Sequence, residues 1–213
     1  MIDSVSSIQK GPTAKQRQKS ATREQLMLAA RRCVGKQGYA RTTIEQIARE
    51  AGSSRPNFYL HFSSKADLAR AIVEDLRQRS TALMPIIGPD SLVHETLVHA
   101  VRGWIAMYRN EVDAFQLWHE ASSIEPGIEA AIESSRSELM QRLFGGIPEW
   151  ESVDAAARAD VVVSTMFLLL DRVCYAWLVS GWPMQEEHIV DEVVRSWEDY
   201  YIPRLRELMK EIH

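Results

Sequence analysis

Thr43, Ser54, Arg55, Pro56, Asn57, Tyr59, Leu60, His61 and Lys65 lie close together in the first third of the chain. These side chains suit contact with a polyanion and with the edges of heterocyclic bases. A guanidinium such as Arg55 can bond in parallel to O6 and N7 of guanine. The carboxamide of Asn57 can pair with adenine or donate to phosphate, and Leu60 can touch a thymine methyl. Lys65, at the start of a following helix, should reach a phosphate. Thr43, at a helix N-terminus, can offer its hydroxyl and its backbone N–H. Ser54 adds a hydroxyl, and Pro56 offers only shape and apolar contact. Plainer uses exist for several of them. Thr43 can serve as a cap alone, His61 as helix surface, and Tyr59 can pack on the first helix.

Such a set works only if short helices hold it. Ile44, Ile47, Ala48 and Ala51 recur at i, i+3, i+4 and i+7 and predict a helix over 43–51. Thr43 with Gln46, or Thr42 with Glu45, has capping-box spacing. Gly52 allows a sharp turn. A short helix follows from Ser54 to His61, capped by Ser53 or Ser54, with Pro56 tolerated in its first turn. Phe58 and Phe62 would bury its inner face against Ile47 and a preceding helix, Thr22 to Lys36. That helix carries Leu26, Ala30, Cys33 and Val34 on one face and ends at Gly38. Ser64 and Asp67 open a fourth helix, which reaches to about Leu83. Helix, tight turn and helix in these proportions form a helix-turn-helix.

The rest of the chain has helical periodicity near 91–109, 111–122, 127–144, 153–180 and 185–211, with Pro203 kinking or restarting the last. The expected class is all-α, about nine helices and no sheet. Residues 1–20 read as a flexible basic arm, 21–66 as the helix-turn-helix domain and 67–213 as a second helical domain. Charge divides along the same line. Residues 1–65 carry 12 Lys or Arg against 4 Asp or Glu, whereas the remainder carries 13 against 25. A basic N-terminal part on an acidic body is the layout of a nucleic-acid reader joined to something else.

Hydrophobic residues make up 46% of the chain, enough for a sizeable core. The longest apolar run, Val161 to Leu170, is broken by Ser164 and Thr165 and followed by Asp171 and Arg172, so no membrane span and no membrane partner is expected. The polar N-terminus lacks a signal core, and a cytoplasmic location follows. Cys33 and Cys174 have no metal-type spacing and read as buried small hydrophobes. His94 and His99 are five apart, and His119 and Glu120 point in different directions, so neither pair reads as a metal site. With no nucleotide loop, nucleophile elbow or ligand run, neither an enzyme nor a cofactor is expected.

From Thr22 to Leu76 the sequence resembles the N-terminal domain of tetracycline-repressor-type transcriptional regulators. The resemblance rests on Gly38-Tyr39, Thr42-Thr43, Ile47-Ala48, Ala51-Gly52, Phe58-Tyr59, His61-Phe62, and Lys65 with Leu68, in order. Ser53 departs from the family pattern, which carries an aliphatic residue there. The resemblance implies double-stranded DNA as partner, and it implies the phosphate role of Tyr59 and His61. A short helix reads only a few base pairs, so a homodimer on a palindromic operator is the economical arrangement. It also implies that the last two helical segments, 153–180 and 185–211, form a bundle with those of a partner, and that the body encloses a cavity for an effector. Trp104, Met107, Tyr108, Phe115, Trp118, Met140, Phe144, Met166, Phe167, Leu170, Cys174 and Trp177 are the candidate lining. As a set they favour a small apolar or amphipathic molecule. Asp171 lies inside an apolar run and requires a partner if buried; an ion pair at or near the dimer seam is expected, with a buried network or a ligand's polar group as the alternatives. The expected mechanism is a repressor released from its operator when the effector shifts the fourth helix. The alternatives are an activator or nucleoid-associated protein without an inducer and, more remotely, a helical enzyme with an appended helix-turn-helix.

Overall fold

The structure, a computed structural model, describes residues 13–83, 94–128 and 150–209. Among the described residues there are nine α-helices and no strand. They are α1 (Ala14–Gln37), α2 (Ile44–Glu50), α3 (Arg55–Tyr59), α4 (Lys65–Ala82), α5 (His94–Asn110), α6 (Val112–Ser122), α7 (Val153–Leu178), α8 (Glu186–Ser196) and α9 (Ile202–Leu208). Met140, Phe144 and most of the helix expected over 127–144 lie outside the described residues.

The first helix starts earlier than its periodicity implies. Thr13 caps it, accepting from the N–H of Gln16 while the Gln16 side chain accepts from the N–H of Thr13. Residues 14–20, expected as part of a flexible arm, are therefore helical. A capping box satisfies two otherwise orphaned N–H groups at once, and Ala, Lys, Gln and Arg are good helix formers. The same device starts α2, where Thr43 and Gln46 form the box. Ser54 caps α3 and Ser64 caps α4. At the far end, one π-helical turn, Trp197–Tyr201, separates α8 from α9. Pro203 then sits in the first turn of α9, where its missing N–H does little harm.

α1 packs on α2, α4 and α6, while α5 packs on α7 and α8. One apolar cluster runs from Leu26 and Val34 through Phe58, Phe62 and Leu68 to Trp104, Phe115, Met166 and Trp197. Each such side chain taken fully out of water contributes about 1.5–3 kcal/mol before entropy is subtracted. Charged groups join the layers at one corner. Arg31 of α1 reaches Asp113 at 2.7 Å and Glu111 at 3.1 Å, and Arg79 of α4 pairs with the same Glu111. These contacts hold the Glu111 carboxyl below its usual range, the Arg79 hydrogen bond most of all.

Asp171 has a partner within its own chain. Its Oδ2 lies 3.1 Å from His119 Nε2 within the same chain, and His119 Nε2 is also 3.2 Å from the Tyr108 hydroxyl. The pair forms because α6 and α7 bring these side chains together within one chain. By length and composition, α7 is also long and apolar enough to cross a membrane. Ser164 and Thr165 do not break it, since a helix hydroxyl can bond back to its own turn, as Thr165 does to the Val161 carbonyl at 2.7 Å.

Candidate nucleic-acid interface

Gly52 makes the turn between α2 and α3 with φ +61°, a left-handed conformation that side chains resist. Beyond the turn, α3 is only one and a half turns long, and its geometry rests on what it buries. Phe58 is 0% exposed and Phe62 1%. Their rings are 5.8 Å apart, and the Arg23 guanidinium of α1 lies 4.2 Å over Phe62. With that face anchored, Arg55, Pro56, Tyr59 and Leu60 stand exposed, Leu60 at 72%. An isobutyl group left so open on a well-packed domain costs nothing if a partner's apolar surface covers it.

Arg55 is not idle. Its Nη1 is 2.7 Å from Glu45 Oε1, and its Nη2 donates to the Tyr59 hydroxyl at 3.5 Å. The Tyr59 hydroxyl and Glu45 both strengthen its hold on the proton. Glu45 was not among the expected site residues. Only its position one helix away, at the start of α2, brings it to Arg55. Asn57 turns inward and donates from Nδ2 to Ser53 Oγ at 2.8 Å. Ser53 thus takes part in a hydrogen bond across the turn.

Three other expected contacts are partly engaged. Thr43 gives its N–H to Gln46 Oε1 at 2.8 Å, which leaves its hydroxyl hydrogen as the donor. Ser54 Oγ accepts from the Asn57 N–H and likewise keeps its hydrogen. Lys65 donates to the carbonyls of Tyr39 at 2.9 Å and Thr42 at 3.0 Å, with its ammonium 4.1 Å over the Tyr39 ring. Burial lowers its pKa. An ammonium has three donors, so one remains. His61 accepts at its carbonyl from Arg23, and its Nδ1 is buried without a partner. Burial first, then the nearby charges of Lys19 and Arg23, push its pKa below 6.5. The exposed set is thus Thr43, Ser54, Arg55, Pro56, Tyr59 and Leu60, with Asn57 and Lys65 in supporting positions.

Residues 26–72 match the model for bacterial regulatory proteins of the tetR family. Over these residues the chain is similar to that family. Individual regulators match as well. The regulator TtgR of Pseudomonas putida is 44% identical over 57 residues, which is 27% of this chain and 27% of TtgR. This chain thus matches about a quarter of the length of that relative. The activator FasR of Mycolicibacterium smegmatis is 23% identical over 82% of this chain and 81% of its own. Beyond the tetR-type domain, solved structures share the whole fold. The fatty acid degradation regulator FadR of Bacillus halodurans superposes with TM-score 0.59 at 17% identity, covering 88% of this chain and 96% of that one. NalD of Pseudomonas aeruginosa, a secondary repressor of an efflux pump, superposes with TM-score 0.58 at 19% identity, covering 92% and 100%.

Among the described residues the expected aromatic side chains of the body pack against one another. Tyr108 and Phe115 stack at 3.6 Å, flanked by Trp104 and Trp118, and Met166, Leu170 and Cys174 are buried. Met107, Phe167 and Trp177 are half-buried against the same core. A groove of about 500 Å³ lies elsewhere, between α7 and α8, lined by Leu169, Val173, Met184, His188, Ile189 and neighbours. It contains none of the residues expected to line a cavity.

Proposed function

We propose that this protein is a homodimeric transcriptional regulator that binds a palindromic operator through α3 and releases it when a small effector enters the body. The observation that carries this reading is the exposed trio of Arg55, Tyr59 and Leu60 on a helix whose other face is anchored by Phe58 and Phe62. Hydrogen-bond fork, phenol and isobutyl group on one rigid helix match the acceptors and methyl groups of a major groove. In this reading the protein acts in the cytoplasm, where it meets DNA, and performs no catalysis.

Dimerisation is supported by α7. Val161, Thr165, Leu168, Leu169 and Arg172 form an exposed stripe at helical spacing, and Leu168 is 65% exposed. With the adjoining groove, this is more apolar surface than a lone monomer usually leaves to water. A second copy would bury it along 153–180 and 185–211.

For the effector, the aromatic interior supports a molecule with an apolar body. Asp171 Oδ1 and Trp104 Nε1 are buried without hydrogen-bond partners. A ligand with a polar group as well as apolar surface would satisfy them, so an amphipathic effector fits better than a hydrocarbon. Repression is the sense we assign.

The test is selection of bound duplexes from a random pool. A palindrome with half-sites about one helical turn (~34 Å) apart is expected. No enrichment at low salt overturns the reading.

A further inference from the structure

Helix α1 overhangs the domain. Its buried line, Leu26, Ala30 and Cys33, continues towards the N-terminus through Lys19 and Lys15, because 3.6 residues per turn bring these positions to one side. Where the line is covered, it holds core. Where α1 projects beyond the domain, the same line carries ammonium groups. Lys15 and Lys19 are exposed, and neither forms an ion pair among the described residues. No acidic residue occurs between Thr13 and Arg23 to offset them.

The direction of the overhang is set by contacts at its base. Arg23 Nη1 donates to the His61 carbonyl at 3.3 Å, and Lys19 is near enough to His61 to disfavour its protonated form. His61 directly follows the exposed Tyr59 and Leu60. The stripe therefore begins beside the C-terminal end of α3 and runs away from it. At 1.5 Å per residue, Lys15 lies about 12 Å beyond Arg23, a span that passes several phosphates of a duplex strand.

We propose that Lys15 and Lys19 form a second DNA-contact surface that binds backbone phosphates flanking the bases read by α3. The proposal rests on the DNA-binding reading and extends it. The helical form is essential, since it holds both ammonium groups on one side. The contact carries no base information, because phosphates are alike in every sequence.

The test uses the full-length protein and a selected operator duplex, with affinity measured from ~50 to ~300 mM salt. The variant K15Q/K19Q keeps helix-forming residues, and K15R/K19R keeps the charge. For K15Q/K19Q the slope of log K against log salt is expected to shrink by about 1.8 per bound half-site, and affinity near 0.1 M salt to fall roughly tenfold or more. K15R/K19R restores both, and relative preference among operator variants stays as in the parent. An unchanged slope and affinity in K15Q/K19Q, with Arg55→Ala still relaxing base preference, overturns the flanking contact and leaves the α3 interface standing. Weaker binding with an unchanged slope also overturns it, since that marks a structural effect. If the parent protein enriches no duplex, the DNA-binding reading and this proposal fall together.

Discussion

The Glu120 carboxylate accepts a hydrogen bond from the backbone N–H of Tyr39 at 2.5 Å. This contact ties α6 of the body to the loop that leads into α2. Glu125 adds a second tie, accepting from the Tyr39 hydroxyl at 3.0 Å. Lys65 closes the loop from the other side through the Tyr39 carbonyl. Tyr39 is thus the joint between α6 and the loop that leads into α2. Gly38 makes the approach possible. Its φ is +83°, and a Cβ there would stand 3.1 Å from Glu120 Oε2.

Gly38→Ala therefore meets two penalties, backbone strain and a crowded carboxylate. Gly52→Ala meets only the first, since nothing lies within 4 Å of a Cβ at Gly52. A loss of about 2–3 kcal/mol is expected for Gly38→Ala and about 1–2 for Gly52→Ala. At about 2–4 °C per kcal/mol for a chain of this size, calorimetry resolves the order. Equal melting temperatures would refute the close Glu120 contact.

Lys65 has two tasks, and its substitution separates them. With two of its three hydrogens on the Tyr39 and Thr42 carbonyls, Lys65→Met is expected to cost about 1.5–3 kcal/mol of stability. The salt slope of operator binding is expected to fall by about one or less. A variant as stable as the parent with a slope smaller by a full unit would show the ammonium facing DNA instead.

In the proposed reading, Glu45 competes with DNA for the Arg55 guanidinium. Both side chains are exposed, so their ion pair adds little to stability. Glu45→Gln frees the guanidinium and removes an anion from the approach. Operator affinity is expected to rise about two- to fivefold, most at low salt. Arg55→Ala is expected to relax base preference, read as a flattened ranking of operator variants. Unchanged affinity in Glu45→Gln would mean that the pair is not an obstacle.

His61 gives a pH dependence of definite sign. Its folded-state pKa is lowered from 6.5, so the unfolded chain binds the proton more readily. Stability is therefore intact above about 6.5 and declines as pH falls from there towards the folded-state value. Thermal melts between pH 7.5 and 5.5 are expected to show this decline, reduced in His61→Gln. A His61→Gln variant with an unchanged pH profile would assign the loss to other groups.

Much of the local structure was legible in the residues alone. The Thr43 and Gln46 box, the Ser54 and Ser64 caps, the turn at Gly52 and the burial of Phe58 and Phe62 follow from contacts within a few residues. The early start of α1 was available too, since Thr13 and Gln16 have box spacing, but Gly11 and Pro12 just before them favoured reading an arm.

What the order of residues determined by itself was the pattern of helices, the division of charge and the side chains offered at α3, because periodicity, capping and turn chemistry act over short distances. Tertiary structure alone decided that Arg55 meets Glu45, that Asn57 bonds to Ser53, that Lys65 braces Tyr39, and that Asp171 pairs with His119 inside the body. The physical reason is the same in each case. A charged or polar side chain settles on the nearest group able to satisfy it, and which group is nearest depends on how whole helices pack.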